Sequence, residues 1–152
     1  MKFYAFSGLA FLIGIGLAFA GTQIMKPGKQ PEPPFNYATA KRAERMAFLA
    51  AEAAPITASI EASLAGVMAL DKPLLNPETR RIIYRIHVDG RLAASFDKRK
   101  LKMQIYPQLC PGYIKSPLGQ NGVAVVQKFV AKNGTGTLMK IMLSNSVCTH
   151  FI

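Results

Sequence analysis

From Phe3 to Gly21 the chain carries no charge, and Pro27, Pro31, Pro33 and Pro34 come soon after. This opening constrains the fold more than any other feature, because it takes the first 36 residues out of the soluble core. As a helix at about 1.5 Å per residue, the run would span about 28 Å, close to the roughly 30 Å hydrocarbon layer. It also fits a secretory signal: Lys2 is a minimal basic start, and Ala18 and Ala20 before Gly21 meet the small-x-small rule for cleavage. The length favours an anchor, whereas Gly8, Gly14 and Gly16 weaken the helix and favour a cleaved signal. Both readings stay open, and both place the remainder of the chain outside the cytoplasm. The proline-rich stretch reads as an extended spacer, which suits a tethered domain better than a released one.

The expected organisation is therefore a signal peptide or membrane anchor at 1–21, a proline-rich linker at 22–36 and an extracytoplasmic α+β domain at 37–152. The domain divides into a helical part, 37–70, and a sheet part, 79–148. A folding unit of this size buries only about two-thirds of the surface its unfolded chain exposes, so cross-links would help it. Cys110 and Cys148 are the only cysteines. In an exported chain they read as one disulfide, closing a loop worth about 4 kcal/mol in the chain-entropy model. Neither they nor His87 and His150 show metal-ligand spacing, and no metal or cofactor is expected.

The net charge is +11, and it is unevenly spread. All acidic residues lie between Glu32 and Asp97, whereas Lys98, Arg99, Lys100, Lys102, Lys115, Lys128, Lys132 and Lys140 face no acidic counterpart in sequence. A basic half reads either as a solvated face or as a surface for an acidic partner. The densest cluster is Lys98, Arg99, Lys100 and Lys102.

Two alanine-rich helices are expected. The first covers Tyr37 to Ala54, with Ala43, Met46, Ala47, Ala50 and Ala54 on one stripe; Pro55 ends or kinks it. The second covers Ile56 to Leu70, with Ile56, Ile60, Leu64 and Val67 on its stripe. Ala58, Ala62 and Gly66 recur every four residues and read as a site of close helix packing. Pro73 and Pro77 forbid further helix.

An antiparallel β-β-α-β-β sheet is expected next. Ile82, Tyr84, Ile86 and Val88 alternate along one face, Asp89-Gly90 signals a hairpin, and Arg91–Phe96 returns as its second strand. Asp97 caps a helix reaching Leu109, with Leu101, Ile105 and Leu109 on its buried side, and Pro111-Gly112 breaks it. Gly122–Lys132 alternates again, with Val123, Val125, Gln127 and Phe129 together. Asn133-Gly134-Thr135-Gly136 turns the chain into a last strand, Thr137–Leu143. The disulfide would tie the helix to that strand.

Little in this pattern suggests catalysis. Ser95-Phe96-Asp97-Lys98 fits S-x-x-K, but the other elements that such enzymes need are missing. His87 falls on the solvent side of its strand, and His150 lies near the end of the sequence. The reading is a small envelope protein of the bacterial periplasm, a binding or assembly module without enzymatic activity. Its expected partners are another envelope protein or an acidic surface such as lipid head groups or lipopolysaccharide, with membrane attachment through the N-terminal segment. Nucleic acid sits badly with an exported chain and with a basic cluster lacking interleaved aromatics. The alternative is a small extracytoplasmic hydrolase using Ser95 or a histidine.

Overall fold

The structure, a computed structural model, describes residues 34–64, 69–89, 97–131 and 136–152. Its elements in chain order are α1 (Arg42–Leu64), β1 (Ala69–Leu70), β2 (Leu74–Asn76), β3 (Arg81–Val88), α2 (Lys98–Lys115), α3 (Pro117–Gln120), β4 (Ala124–Ala131), β5 (Thr137–Leu143), α4 (Asn145–Cys148) and a closing 3-10 turn, Thr149–Phe151. The sheet runs β1-β3-β4-β5, with β2 beside β1 along the same edge of β3.

The sheet is mixed, not antiparallel. β3 and β4 lie side by side and parallel, in register from Arg81↔Ala124 to Val88↔Ala131. β4 then pairs antiparallel with β5. Parallel neighbours need a crossover of a dozen or more residues, and α2 supplies it. The expected return strand 91–96 lies outside the described residues; the partners antiparallel to β3 are instead β1 and β2. Together these form one interrupted edge strand. Asp71 still donates its N–H to the Arg85 carbonyl at 3.0 Å, while Pro73 has no N–H to offer. Residues 69–70, expected as helix, are drawn into this edge.

The core face obeys the alternation. Ile82, Tyr84, Ile86 and Val88 are buried, and so are Val125, Gln127 and Phe129 opposite them in β4 and Ile141 and Leu143 in β5. One apolar cluster joins this face to Leu49, Ala53, Ile56, Ile60 and Leu64 of α1 and to Ile105, Leu109 and Tyr113 of α2. Both helices therefore cover the same face of the sheet.

The two expected alanine-rich helices are one. α1 passes straight through Pro55, and α2 passes through Pro107 and Pro111 and ends at Ser116 rather than at Cys110. An interior proline removes one helical hydrogen bond and crowds the carbonyl four residues back, typically costing about 3 kcal/mol. Here all three prolines are exposed, and so are the residues whose carbonyls they leave free, Ala51, Met103 and Pro107. Water can take those acceptors, and helices bend convex toward solvent. The buried stripe of α1 is Leu49, Ala53, Ile56, Ile60 and Leu64, continuous across the proline. The alanine stripe predicted for its first half is largely outside the core: Ala43, Ala47, Ala50 and Ala54 are exposed and Met46 is half-buried. Ala58 and Ala62 are exposed too, so they make no close packing; Gly66 and Val67 lie outside the described residues.

Three buried tyrosines pin the layers together, each donating to a main-chain carbonyl. Tyr84 of β3 reaches the Ala53 carbonyl of α1 at 3.0 Å, Tyr113 of α2 reaches Val123 at 2.7 Å, and Tyr37 reaches Pro77 at 2.6 Å. Tyr37 is also held from both sides, with the Arg45 and Arg80 guanidinium carbons each 5.0 Å from its ring centre. Phe35 stacks on Phe48 with ring centres 4.3 Å apart, so packing begins two residues before the expected boundary at 37. Arg80 has a positive φ of 53°, a conformation costly for a side chain with a Cβ. Its stacking on Tyr37 and its hydrogen bond to the Asn121 carbonyl hold it there.

Cys110 of α2 and Cys148 of α4 form the disulfide, with Cα atoms 5.1 Å apart. It fastens the short helix after β5 to α2, and both cysteines are fully buried. Their separation of 38 residues corresponds to about 4 kcal/mol in the chain-entropy model. Replacing both cysteines with serine should lower stability by about that amount in denaturant titrations, and amide exchange should accelerate first in residues 145–151.

Burial pushes the Tyr84 and Tyr113 phenols up to about 12. Folding thus favours the neutral phenol. The stability this gives is complete below the ordinary tyrosine value near 10 and is lost as pH rises from about 10 to about 12. Denaturant titrations across that window should show stability falling with pH. Tyr84→Phe should flatten the fall and cost about 1 kcal/mol at neutral pH; an unchanged slope would exclude Tyr84 as the titrating group.

Candidate binding surface

The basic cluster predicted from the sequence sits at the start of α2. Asp97 caps the helix, its Oδ1 accepting from the N–H groups of Arg99 and Lys100 at 3.1 Å each. The cap fixes the first turn, which contains no acidic residue. Lys98, Arg99 and Lys100 are exposed and Lys102 is half-buried. Cations at this end oppose the helix dipole. Among the described residues the Arg42–Glu78 ion pair and the His87–Asp71 contact both lie outside the cluster.

A second basic feature lies on the sheet face turned away from the helices. Arg85 of β3 is in register with Lys128 of β4, and Lys128 with Lys140 of β5. Register partners project to the same side, so three cations form one row across three strands, about 4.8 Å from strand to strand. Arg85 and Lys140 are exposed and Lys128 is half-buried. None of the three forms an ion pair among the described residues. Beside this row runs an apolar one, Leu74, Ile83, Val126 and Met142. Leu74 at its edge is 63% exposed, whereas Val126 at its centre is buried.

The basic row could not be read from the sequence. Lys128 is visible there as a charge on the back of β4, but its alignment with Arg85 requires the parallel β3–β4 pairing, and the expected hairpin places another strand there. Lys140 needs the register of β5. The signal is the set of outward positions on each strand, which becomes a row only once the strand order is known.

The remaining candidates fall apart as a site. His87 lies on the outward face, half-buried, with its ring Nε2 2.9 Å from Asp71 Oδ2. His150 is exposed. Ser95 lies outside the described residues, as do Ala18, Ala20 and Gly21 of the expected cleavage site. Among the described residues there is no group of three side chains able to hold a metal, and no helix is long and apolar enough to cross a membrane. No family model, curated protein or solved structure matches the chain.

Like charges directly opposite on a sheet are destabilising, by a few tenths of a kcal/mol per pair at low salt. Lys128→Gln should therefore raise the melting temperature slightly in dilute buffer. The gain should shrink in about 1 M salt, where the screening length falls to about 3 Å. A salt-independent change would mean that the row is not under electrostatic strain.

Proposed function

We infer that this chain is a small exported or membrane-tethered protein of the bacterial envelope. It acts as a binding or assembly module through its basic α+β domain. The observation that carries this reading is the unbalanced charge on two surfaces, the start of α2 and the Arg85–Lys128–Lys140 row, which lack ion-pair partners among the described residues. Cations held in this way gain from an anionic partner, so the expected partners are an acidic envelope protein or an acidic surface. The Cys110–Cys148 disulfide supports an oxidising compartment. The apolar run Phe3–Gly21 supports export, and the prolines after it suit a spacer between a membrane and the folded domain.

Intact-mass measurement on membrane and soluble extracytoplasmic fractions, alkylated with and without reductant, tests this reading. The expected product is oxidised in either fraction. A soluble species beginning at Gly21 makes the protein a diffusible binder, and a full-length species in the membrane makes it a tethered component. Cys110 and Cys148 alkylating freely without reductant, in a chain confined to the cytoplasm, would overturn it.

A further inference from the structure

The geometry points to a bilayer-docking surface built from the start of α2 and the closing turn, fitted to anionic phospholipid. This deepens the binding-module reading and rests on it. Leu74, Met103 and Ile152 are the large hydrophobic side chains most exposed among the described residues, at 63%, 62% and 73%. Two of the three belong to this one region. Met103 lies one turn along α2 from Arg99 and directly after Lys102. Tyr106, three residues further, stacks on Phe151 with ring centres 5.1 Å apart, which brings the closing turn against this part of α2. The Cys110–Cys148 disulfide fixes that contact from beneath. Met103 and Ile152 protrude here above half-buried Tyr106 and Phe151, and Lys98, Arg99, Lys100 and Lys102 stand on the same first turns of α2 as Met103. No acidic residue occurs anywhere from 98 to 152.

Apolar tips beside a cluster of cations suit an interface where head groups are anionic and the layer beneath is hydrocarbon. An acidic protein would also match these cations and apolar tips, so the choice of lipid rests on the tether. The spacer expected at residues 22–36 supplies the second argument. With Phe35 packed on the domain, the part left free at about 3.1 Å per residue in extended form spans roughly 40 Å, so a tethered domain stays within reach of the bilayer that holds it. α2 covers the core face of the sheet, whereas the Arg85–Lys128–Lys140 row lies on the other face. Docking through α2 therefore leaves that row turned away from the lipid.

The chain contains no tryptophan, so Met103→Trp provides a single indole at an exposed position outside the core. The full-length variant would be reconstituted in lipid nanodiscs of phosphatidylcholine, with or without phosphatidylglycerol. The expected result is a blue-shifted emission protected from acrylamide only with phosphatidylglycerol. The effect should weaken as salt is raised from about 0.1 to 1 M and the screening length falls from about 10 to 3 Å. Leu74→Trp, on the far side of the sheet, should report solvent in both discs. Adding Arg99→Gln to Met103→Trp should weaken attachment about fivefold at low salt, the worth of one charge near an anionic surface. An emission at position 103 indifferent to phosphatidylglycerol, an equal shift at position 74, or a shift with lipopolysaccharide aggregates but not with phosphatidylglycerol would each overturn the inference. If the chain is exported and oxidised while position 103 ignores lipid, the docking surface falls and the binding-module reading stands.

Discussion

β4 is paired on both sides along nearly its whole length, parallel to β3 and antiparallel to β5, and the other elements take their places from it. Parallel pairing with β3 obliges the chain to cross the sheet between the two strands, and α2 is that crossing. Since α2 and α1 share one apolar cluster with Tyr84, Val125 and Ile141, both helices lie on one face. The opposite face then receives every outward residue of three strands. The row of Arg85, Lys128 and Lys140 is a consequence of this pairing, just as the core is.

Holding such a sheet takes directional bonds as well as apolar contact. The buried phenols of Tyr37, Tyr84 and Tyr113 each donate to a carbonyl on a different segment, and a buried hydroxyl left without a partner costs about 1–3 kcal/mol. Gly119 shows how tightly α3 closes against the end of α2: a Cβ there would lie 2.2 Å from the Tyr113 carbonyl oxygen. Ser116 makes the turn possible, its hydroxyl donating to the Tyr113 carbonyl and accepting from the Gly119 N–H. The disulfide then secures the segment after β5, where the short α4 has little packing of its own.

Strand identity was legible because Ile82, Tyr84, Ile86 and Val88 alternate with a single buried face, and because Val123, Val125, Gln127 and Phe129 keep the same period in a central strand buried on both faces. The bounds of β5, the capping role of Asp97 and the cysteine pairing were legible for similarly local reasons. Strand order was not, because Asp89-Gly90 carries a local hairpin signal and the parallel pairing is a non-local fact. Proline hid the true extent of both helices. Pro55 resembles a terminus because an interior proline is costly even in an exposed helix, yet Leu49, Ala53, Ile56, Ile60 and Leu64 keep helical spacing straight through it. Weighting stripes by the apolar area each residue can bury favours Leu49 over the alanines around it. Of the candidate surface, the α2 cluster was visible because it is contiguous, and the cross-strand row was hidden because it is not.

The two basic surfaces differ in what they can bind. A flat bilayer can meet only one side of a domain this small, and α2 and the outward sheet face are on opposite sides. The α2 side carries long basic side chains on a helix beside protruding apolar ones, Met103 and Ile152, a shape suited to a soft interface that adapts to it. The sheet side holds its cations in a fixed row at strand spacing beside a mostly half-buried apolar row, with Val126 sheltered at its centre. Such an array is fixed by the backbone pairing, whereas the side chains at the start of α2 can fan out.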